Sequence, residues 1–148
     1  MTEAGQQHVQ VACAHCATAN RIAAGRLGEG PKCGKCGEPL LPGKPVILDD
    51  TTYDTVIART DLPVVVDFWA AWCGPCRAMA PQFEAAARSL QTRALFAKVD
   101  TEAAQAVAAR AGIRAIPTLI LFRGGREVAR HSGVIEARAL VDWIGSRQ

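Results

Sequence analysis

No run of apolar residues in this sequence is long enough to cross a bilayer, which takes about 20 of them in a helix. The start of the chain, Met1–Val11, is polar and has neither the basic region nor the apolar region of a signal peptide. We therefore expect a cytoplasmic protein that makes no contact with a membrane.

Aromatic residues make up only 5% of the chain, and no basic stripe is interleaved with them. The 17 Lys and Arg residues are scattered among 14 Asp and Glu residues, which leaves a net charge of only +3. A nucleic-acid interface usually needs clustered cations with aromatic residues between them. We therefore expect no nucleic-acid partner.

The chain also has no unpaired cysteine, because its 6 cysteines form three Cys-x-x-Cys pairs. In a reducing compartment such pairs are more typical of metal or redox sites than of structural disulfides. A length of 148 residues is enough for one medium-sized domain and a small additional module.

Two of the pairs are separated by sixteen residues, in a segment rich in glycine and proline that has too little apolar surface to fold by burial alone. Two knuckles with this spacing are typical of a four-thiolate zinc site. We therefore predict one structural Zn²⁺ per chain in an N-terminal module of residues 1–44. Its ligands would be Cys13, Cys16, Cys33 and Cys36.

Other interpretations of this segment stay open. His15 could replace one cysteine as a ligand, or the pairs could be additional redox centres. If zinc is bound, we expect strong oxidants to convert the thiolates to disulfides and to release the metal.

The third pair follows an apolar, β-branched stretch, Val64–Trp69, which predicts a strand buried on both faces. The motif Trp72-Cys73-Gly74-Pro75-Cys76 then opens a helix that we expect to extend to about Leu90. Unpaired amides and the helix dipole at this end favour a thiolate. Cys73 should be the accessible, acidic thiol and Cys76 the shielded one; a metal half-site or a merely buried pair is the alternative.

Asp67 lies within the apolar strand, and Lys98 interrupts the next one, Ala94–Asp100. Burial alone would raise the pKa of Asp67 and let it hold a proton near neutral pH. A solvated aspartate at the rim of the sheet is the alternative.

The Trp72–Cys76 motif, together with Asp67 and Ile116-Pro117-Thr118, resembles the thioredoxin family over the range Val46–Gln148. With the two N-terminal pairs, the chain is similar to the zinc-binding second type of bacterial thioredoxin.

The resemblance implies a role for each residue of the site. Cys73 would attack a substrate disulfide, and Cys76 would resolve the mixed disulfide. Asp67 would exchange a proton with Cys76. Lys98 would lie beside Asp67 and oppose the effect of burial on its pKa; an edge-facing lysine is the alternative. Pro117 would follow a cis peptide bond and pack against the active-site disulfide.

Trp72, Gly74 and Pro75 complete the motif, and the Gly-Pro pair is typical of the reducing branch of the superfamily. The implied activity is that of a protein-disulfide reductase, or electron donor, with no catalytic cofactor. Its implied partners are disulfide-containing substrate proteins and an NADPH-dependent thioredoxin reductase.

After Pro45 the hydrophobic pattern predicts the order β-α-β-α-β-α-β-β-α. We therefore expect an α/β protein with the thioredoxin fold, a mixed central sheet flanked by helices, in residues 45–148. A small zinc ribbon would precede it.

Two rival functions remain. The chain could be a disulfide isomerase or oxidase, which uses the same chemistry in another direction. It could also be a zinc-dependent redox switch or holdase chaperone whose thioredoxin half only senses the redox state.

Overall fold

The N-terminal part of the molecule is a small two-stranded ribbon. The structure is a computed structural model, and it describes residues 7–147. Strand β1 (His8–Ala12) pairs antiparallel with β2 (Ala19–Ala23), and a 3-10 helix spans Ala24–Glu29. Within the described residues, no helix has the length and apolar character needed to span a bilayer.

The rest of the chain alternates strands and helices before it ends in a hairpin and a last helix. The elements are β3 (Val46–Leu48), α1 (Tyr53–Arg59), β4 (Val64–Trp69), α2 (Gly74–Ser89), β5 (Leu95–Asp100), α3 (Gln105–Arg110), β6 (Thr118–Arg123), β7 (Arg126–Ser132) and α4 (Ala137–Gly145). The order predicted from the sequence is confirmed.

These strands form one mixed sheet in the order β3-β5-β4-β6-β7. The three strands joined by helices, β3, β5 and β4, are parallel, whereas β6 and β7 run antiparallel to their neighbours. Strand β4 lies in the middle because five of its six residues are apolar and can be buried on either face.

Side chains of β4 alternate between two apolar cores. Val64, Val66 and Phe68 pack with α1 on one face, whereas Val65 packs with residues of α2 and α4 on the other. Asp67 follows Val65 by two residues, so the strand's period of two directs its side chain to the face that α2 covers.

The ribbon packs against the α1 side of this sheet. Val11 and Leu40 belong to the same apolar cluster as Tyr53 and Val56 of α1. The Ala12 amide donates a buried hydrogen bond of 3.1 Å to the hydroxyl of Thr60, the residue after α1.

The turn before β4 adds two more bonds to the ribbon. The Gln10 amide donates to the Asp61 carboxylate at 2.7 Å, and the Asp61 amide donates to the Gln10 carbonyl at 2.8 Å. The division into residues 1–44 and 45–148 stays a prediction, since the ribbon and the sheet share an apolar cluster.

We predict that Thr60→Val lowers the free energy of unfolding by about 1–2 kcal/mol, because it leaves the buried Ala12 amide without its acceptor. Valine matches threonine in shape, so the loss of stability reports the contribution of the hydroxyl group alone. Urea unfolding monitored by circular dichroism measures the change. Thr55→Val, a half-buried position in α1, is the control; equal stability of the two variants would contradict the prediction.

Candidate active site and metal centre

The Cys73–Cys76 pair lies where β4 passes into α2. Cys73 is the N-cap residue of α2, with an extended backbone at φ −89° and ψ 115°, and its Sγ accepts a hydrogen bond of 3.1 Å from the Cys76 amide. Pro75 occupies the first turn, where the backbone N–H that proline lacks would have no acceptor within the helix. The two cysteines form a disulfide with their Cα atoms 5.2 Å apart. Sulfur therefore serves here as a helix cap.

The expected exposure of Cys73 is wrong for this oxidised form. Cys73 is only 4% exposed and Cys76 only 2%. The reason is that the Cys73 sulfur, bonded to Cys76, lies under the Ile116 loop, 3.7 Å from the carbonyl oxygen of Ile116. The other three residues of the motif are exposed, and Trp72, the large hydrophobic one among them, is 69% exposed.

The loop before β6 faces the disulfide through Ile116. The Ile116–Pro117 peptide bond is cis, as the resemblance implied, and Pro117 is buried. The Thr118 hydroxyl donates to the Ala115 carbonyl, and the Gly133 amide donates to the Pro117 carbonyl at 2.9 Å. These bonds fix the backbone of the loop on both sides of the proline.

A cavity of about 190 Å³ lies between this loop and the exposed tryptophan. Its walls are formed by Trp72, Thr101, Ala108, Ile113, Arg114, Ala115 and Ile116. The Trp72 indole lies 3.4 Å from the Glu102 carboxylate, to which it donates a weak hydrogen bond. Sequence reasoning missed Glu102, because nothing in its local pattern sets it apart from other surface carboxylates.

Asp67 is fully buried, which excludes the solvated aspartate at the rim of the sheet. Its exposed fraction is 0%, and neither carboxylate oxygen has a hydrogen-bond partner among the described residues. Burial raises the pKa of Asp67 to about 6, against a smaller opposing attraction from Lys98. The sequence left open whether burial or Lys98 has the larger effect on the pKa of Asp67, and in the structure the effect of burial is larger.

Lys98 lies directly opposite Asp67 in the register of β5 against β4. Its ammonium group is 4.6 Å from the ring centre of Trp69, within the range of a cation–π contact. The lysine is therefore a half-buried neighbour of the carboxylate, and the edge-facing alternative does not hold.

The four remaining cysteines converge at the tip of the ribbon. The sulfurs of Cys13 and Cys36 are 3.6 Å apart, those of Cys16 and Cys33 are also 3.6 Å apart, and all four lie within 4.8 Å of one another. A tetrahedral zinc with bonds of about 2.3 Å places its sulfurs about 3.8 Å apart. The donor set therefore fits Zn²⁺.

His15 does not belong to this cluster of possible ligands and is exposed. Its amide, however, donates to the Cys13 sulfur at 3.4 Å, and the Lys35 amide donates to the Cys33 sulfur at the same distance. Hydrogen bonds of this kind stabilise thiolates, as metal ligation requires.

The same local turn occurs at all three cysteine pairs. The carbonyl of the first cysteine accepts from the amide four residues later, at 2.7 Å for Ala17, 2.9 Å for Gly37 and 3.2 Å for Arg77. Ala17 and Gly37 then have positive φ values of 65° and 80°, which end the turn, whereas Arg77 continues as part of α2. The conformation of the residue after the second cysteine thus decides whether the turn ends, as in the two knuckles, or continues as a helix.

Two protein-family profiles match this chain. The thioredoxin profile covers residues 44–146, and a zinc-ribbon profile described as the N-terminal part of thioredoxin 2 covers residues 12–38. The predicted combination of a thioredoxin fold with a preceding ribbon is confirmed at this level.

Individual relatives agree with the profiles. The chain is 41% identical over 134 residues to thioredoxin C-3 of Corynebacterium nephridii, with 90% of this chain and 92% of the relative covered. It is 41% identical over 91 residues to thioredoxin 1 of a Nostoc species, covering 62% and 85% of the two chains. A solved mutant thioredoxin from Halobacterium salinarum superposes with a TM-score of 0.64 at 39% identity, covering 72% and 92%.

We predict that Asp67→Asn raises the free energy of unfolding by about 1–3 kcal/mol at pH 8, the scale set by a pKa raised from 3.8 to about 6. Below pH 3.8 the carboxyl is protonated in both the folded and the unfolded chain. As the pH rises from there to about 6, only the unfolded chain ionises, so the wild type loses stability over this window.

The gain from the asparagine should therefore be largest above pH 6 and shrink towards pH 4, which urea titrations at several pH values would measure. Asp54→Asn, which removes an exposed partner of Arg110, is the control. A gain that does not depend on pH would contradict the effect of burial.

Proposed function

The chain belongs to the thioredoxin family, and we propose that it serves the cell as a general protein-disulfide reductase and electron donor. The observation that carries the proposal is the redox pair itself, with Cys73 capping α2 and bonded to Cys76. A helix N-terminus stabilises a thiolate, and a thiolate is the species that attacks a disulfide.

Exchange begins with the reduced dithiol. The Cys73 thiolate attacks one sulfur of a substrate disulfide, the substrate S–S bond breaks, and the second substrate sulfur leaves as a thiolate that takes up a proton. The Cys76 thiol then loses its proton and attacks the Cys73 sulfur of the mixed disulfide. This releases the second substrate thiol and forms the Cys73–Cys76 disulfide, so two electrons pass to the substrate.

Asp67 is the proposed acceptor of the Cys76 proton. The support is that its side chain is directed to the face of the sheet covered by α2 and that its pKa, raised to about 6 by burial, lies near neutrality. A base whose pKa is close to the working pH exchanges protons most effectively. Lys98 is proposed to limit how far that pKa rises.

The substrate segment is proposed to lie along the Ile116 backbone, next to the cis Pro117. A short extended segment that pairs with this backbone would place its disulfide over Cys73, whose sulfur is 3.7 Å from the Ile116 oxygen. The cavity of about 190 Å³ beneath Trp72 offers room for one apolar side chain. Gly74 keeps the space beside the disulfide free of a Cβ atom.

Recharging is assigned to an NADPH-dependent thioredoxin reductase, and the working compartment to the cytoplasm. The dithiol carries both electrons, so the catalytic site itself calls for no further cofactor. At the ribbon we propose one structural Zn²⁺ per chain, held by Cys13, Cys16, Cys33 and Cys36, whose sulfur spacing suits that ion.

Cys73→Ser should abolish insulin-disulfide reduction, because it removes the attacking sulfur, whereas Cys76→Ser should accumulate a mixed disulfide with the substrate. Turbidity with dithiothreitol measures the reduction, and non-reducing electrophoresis detects the trapped adduct. Insulin reduction by Cys73→Ser at the wild-type rate would contradict the mechanism. A holdase activity that survives Cys73→Ser and is triggered by loss of zinc would favour the redox-switch alternative. A strongly oxidising couple in a glutathione titration would instead favour an oxidase or isomerase.

The metal assignment predicts about one zinc per chain in the purified protein, as four thiolate ligands bind it tightly. Cys13→Ser combined with Cys33→Ser should remove it, since each substitution takes a ligand from one knuckle. Elemental analysis measures zinc per chain, and Cys73→Ser, which leaves the ribbon intact, is the control. Zinc retained by the double variant at the level of the control would overturn the ligand set.

A further inference from the structure

Arg77 folds back over the active-site loop. It follows Cys76 in the first turns of α2, and its guanidinium donates a hydrogen bond of 2.9 Å to the carbonyl of Ala71, six residues earlier. This direction agrees with the general tilt of helical side chains towards the N-terminus. The bond therefore joins the two ends of the segment Ala71–Arg77, which contains both cysteines.

The same guanidinium lies beside Gly74. A Cβ atom built at this glycine would be 3.9 Å from one of the Arg77 nitrogens. Gly74 directly follows Cys73, so the guanidinium lies beside the backbone on both sides of that cysteine, at Ala71 and at Gly74.

Arg77 has no carboxylate partner among the described residues. The carboxylates at this edge of the sheet are otherwise engaged: Glu102 accepts from the Trp72 indole, and Asp100 accepts from the Glu102 amide. The charge of Arg77 is therefore not neutralised by an ion pair.

The other charged groups around the site lie on different elements. Asp67 is buried in β4, Lys98 lies over Trp69, and Arg114 lines the cavity beneath Trp72. Among these cations, Arg77 is the one carried by the same helical turn as the dithiol.

We propose that Arg77 is a positioning residue that braces the Ala71–Cys76 loop through the Ala71 carbonyl and stabilises the thiolate of Cys73 by its charge. The inference rests on the proposed function, in which Cys73 is the attacking thiol. At a separation of several ångströms in a partly hydrated site, one unit charge shifts an ionisation equilibrium by about threefold to fivefold. The helix N-terminus supplies the remaining stabilisation.

The test compares Arg77→Met, which keeps the length of the side chain but removes its charge, with Arg77→Lys, which keeps the charge but has a shorter reach and no planar fork. Arg88→Met is the matched control, because Arg88 is an exposed arginine of the same helix, about 16 Å farther along its axis. All variants carry Cys76→Ser, so that Cys73 is the single thiol of the site, and retain their metal.

The first readout is the rate of Cys73 alkylation by iodoacetamide between pH 5 and pH 10, quantified by mass spectrometry of the Cys73 peptide. Arg77→Met should alkylate about twofold to fivefold more slowly than wild type at pH 6.5 and equally fast at pH 10, because its thiol pKa is higher. Arg77→Lys and Arg88→Met should follow the wild-type profile. In 1 M KCl the difference should shrink.

The second readout is amide hydrogen exchange of residues 71–74, which should be faster in both Arg77 variants than in Arg88→Met. If Arg77→Met has the same alkylation profile as Arg88→Met, the electrostatic action is overturned. It is also overturned if the profile of Arg77→Lys shifts as far from the wild type as that of Arg77→Met. Unchanged exchange in both Arg77 variants overturns the brace. Failure of the wild type to reduce insulin would overturn the proposed function, whereas the alkylation profiles would still decide the role of Arg77.

Discussion

The structure depends on how the chain satisfies the free amides at the start of α2. Most helices do this with an oxygen of serine, threonine or aspartate, but here the Cys73 sulfur accepts from the Cys76 amide at 3.1 Å. Strand β4 delivers Cys73 to this place because it is held in the centre of the sheet between β5 and β6. One sulfur atom thus meets the capping requirement of the helix and lies where a helix N-terminus favours a thiolate.

The chain uses a single local turn for two kinds of sulfur chemistry. In each cysteine pair the first carbonyl accepts from the amide four residues later, and amides point at the first sulfur. Where the turn ends in a left-handed residue, at Ala17 or Gly37, two such turns can face each other and present four sulfurs. Where it continues as a helix, the two sulfurs of one turn have only each other, and they form a disulfide.

Local patterns were sufficient to predict most of the fold. The β-branched run of β4 and the order of elements after Pro45 follow from hydrophobic periodicity, and the four-cysteine cluster follows from spacing. What escaped prediction depends on contacts between distant segments. The burial of Cys73 depends on the Ile116 loop, which is forty-three residues away, and the Thr60 contact with the ribbon spans forty-eight.

The balance at Asp67 is a second limit of sequence reasoning. Both opposing effects, burial and the charge of Lys98, were visible in the sequence, but their relative size depends on register and depth. The pairing of β4 with β5 places the lysine next to the carboxylate, while its ammonium lies over Trp69. This geometry leaves the Asp67 carboxylate without a hydrogen bond from any described residue, so burial dominates its pKa.

The apolar cluster shared by the ribbon and α1 has a consequence for evolution and for engineering. Val11, Leu40 and Leu41 cover Tyr53 and Val56, so the ribbon is part of the wall of the larger unit. Removing the ribbon would therefore expose apolar surface on α1, and large exposed apolar patches promote association. A natural relative that has lost the ribbon would therefore need polar side chains on that side of α1. An engineered variant without the ribbon would need the same substitutions.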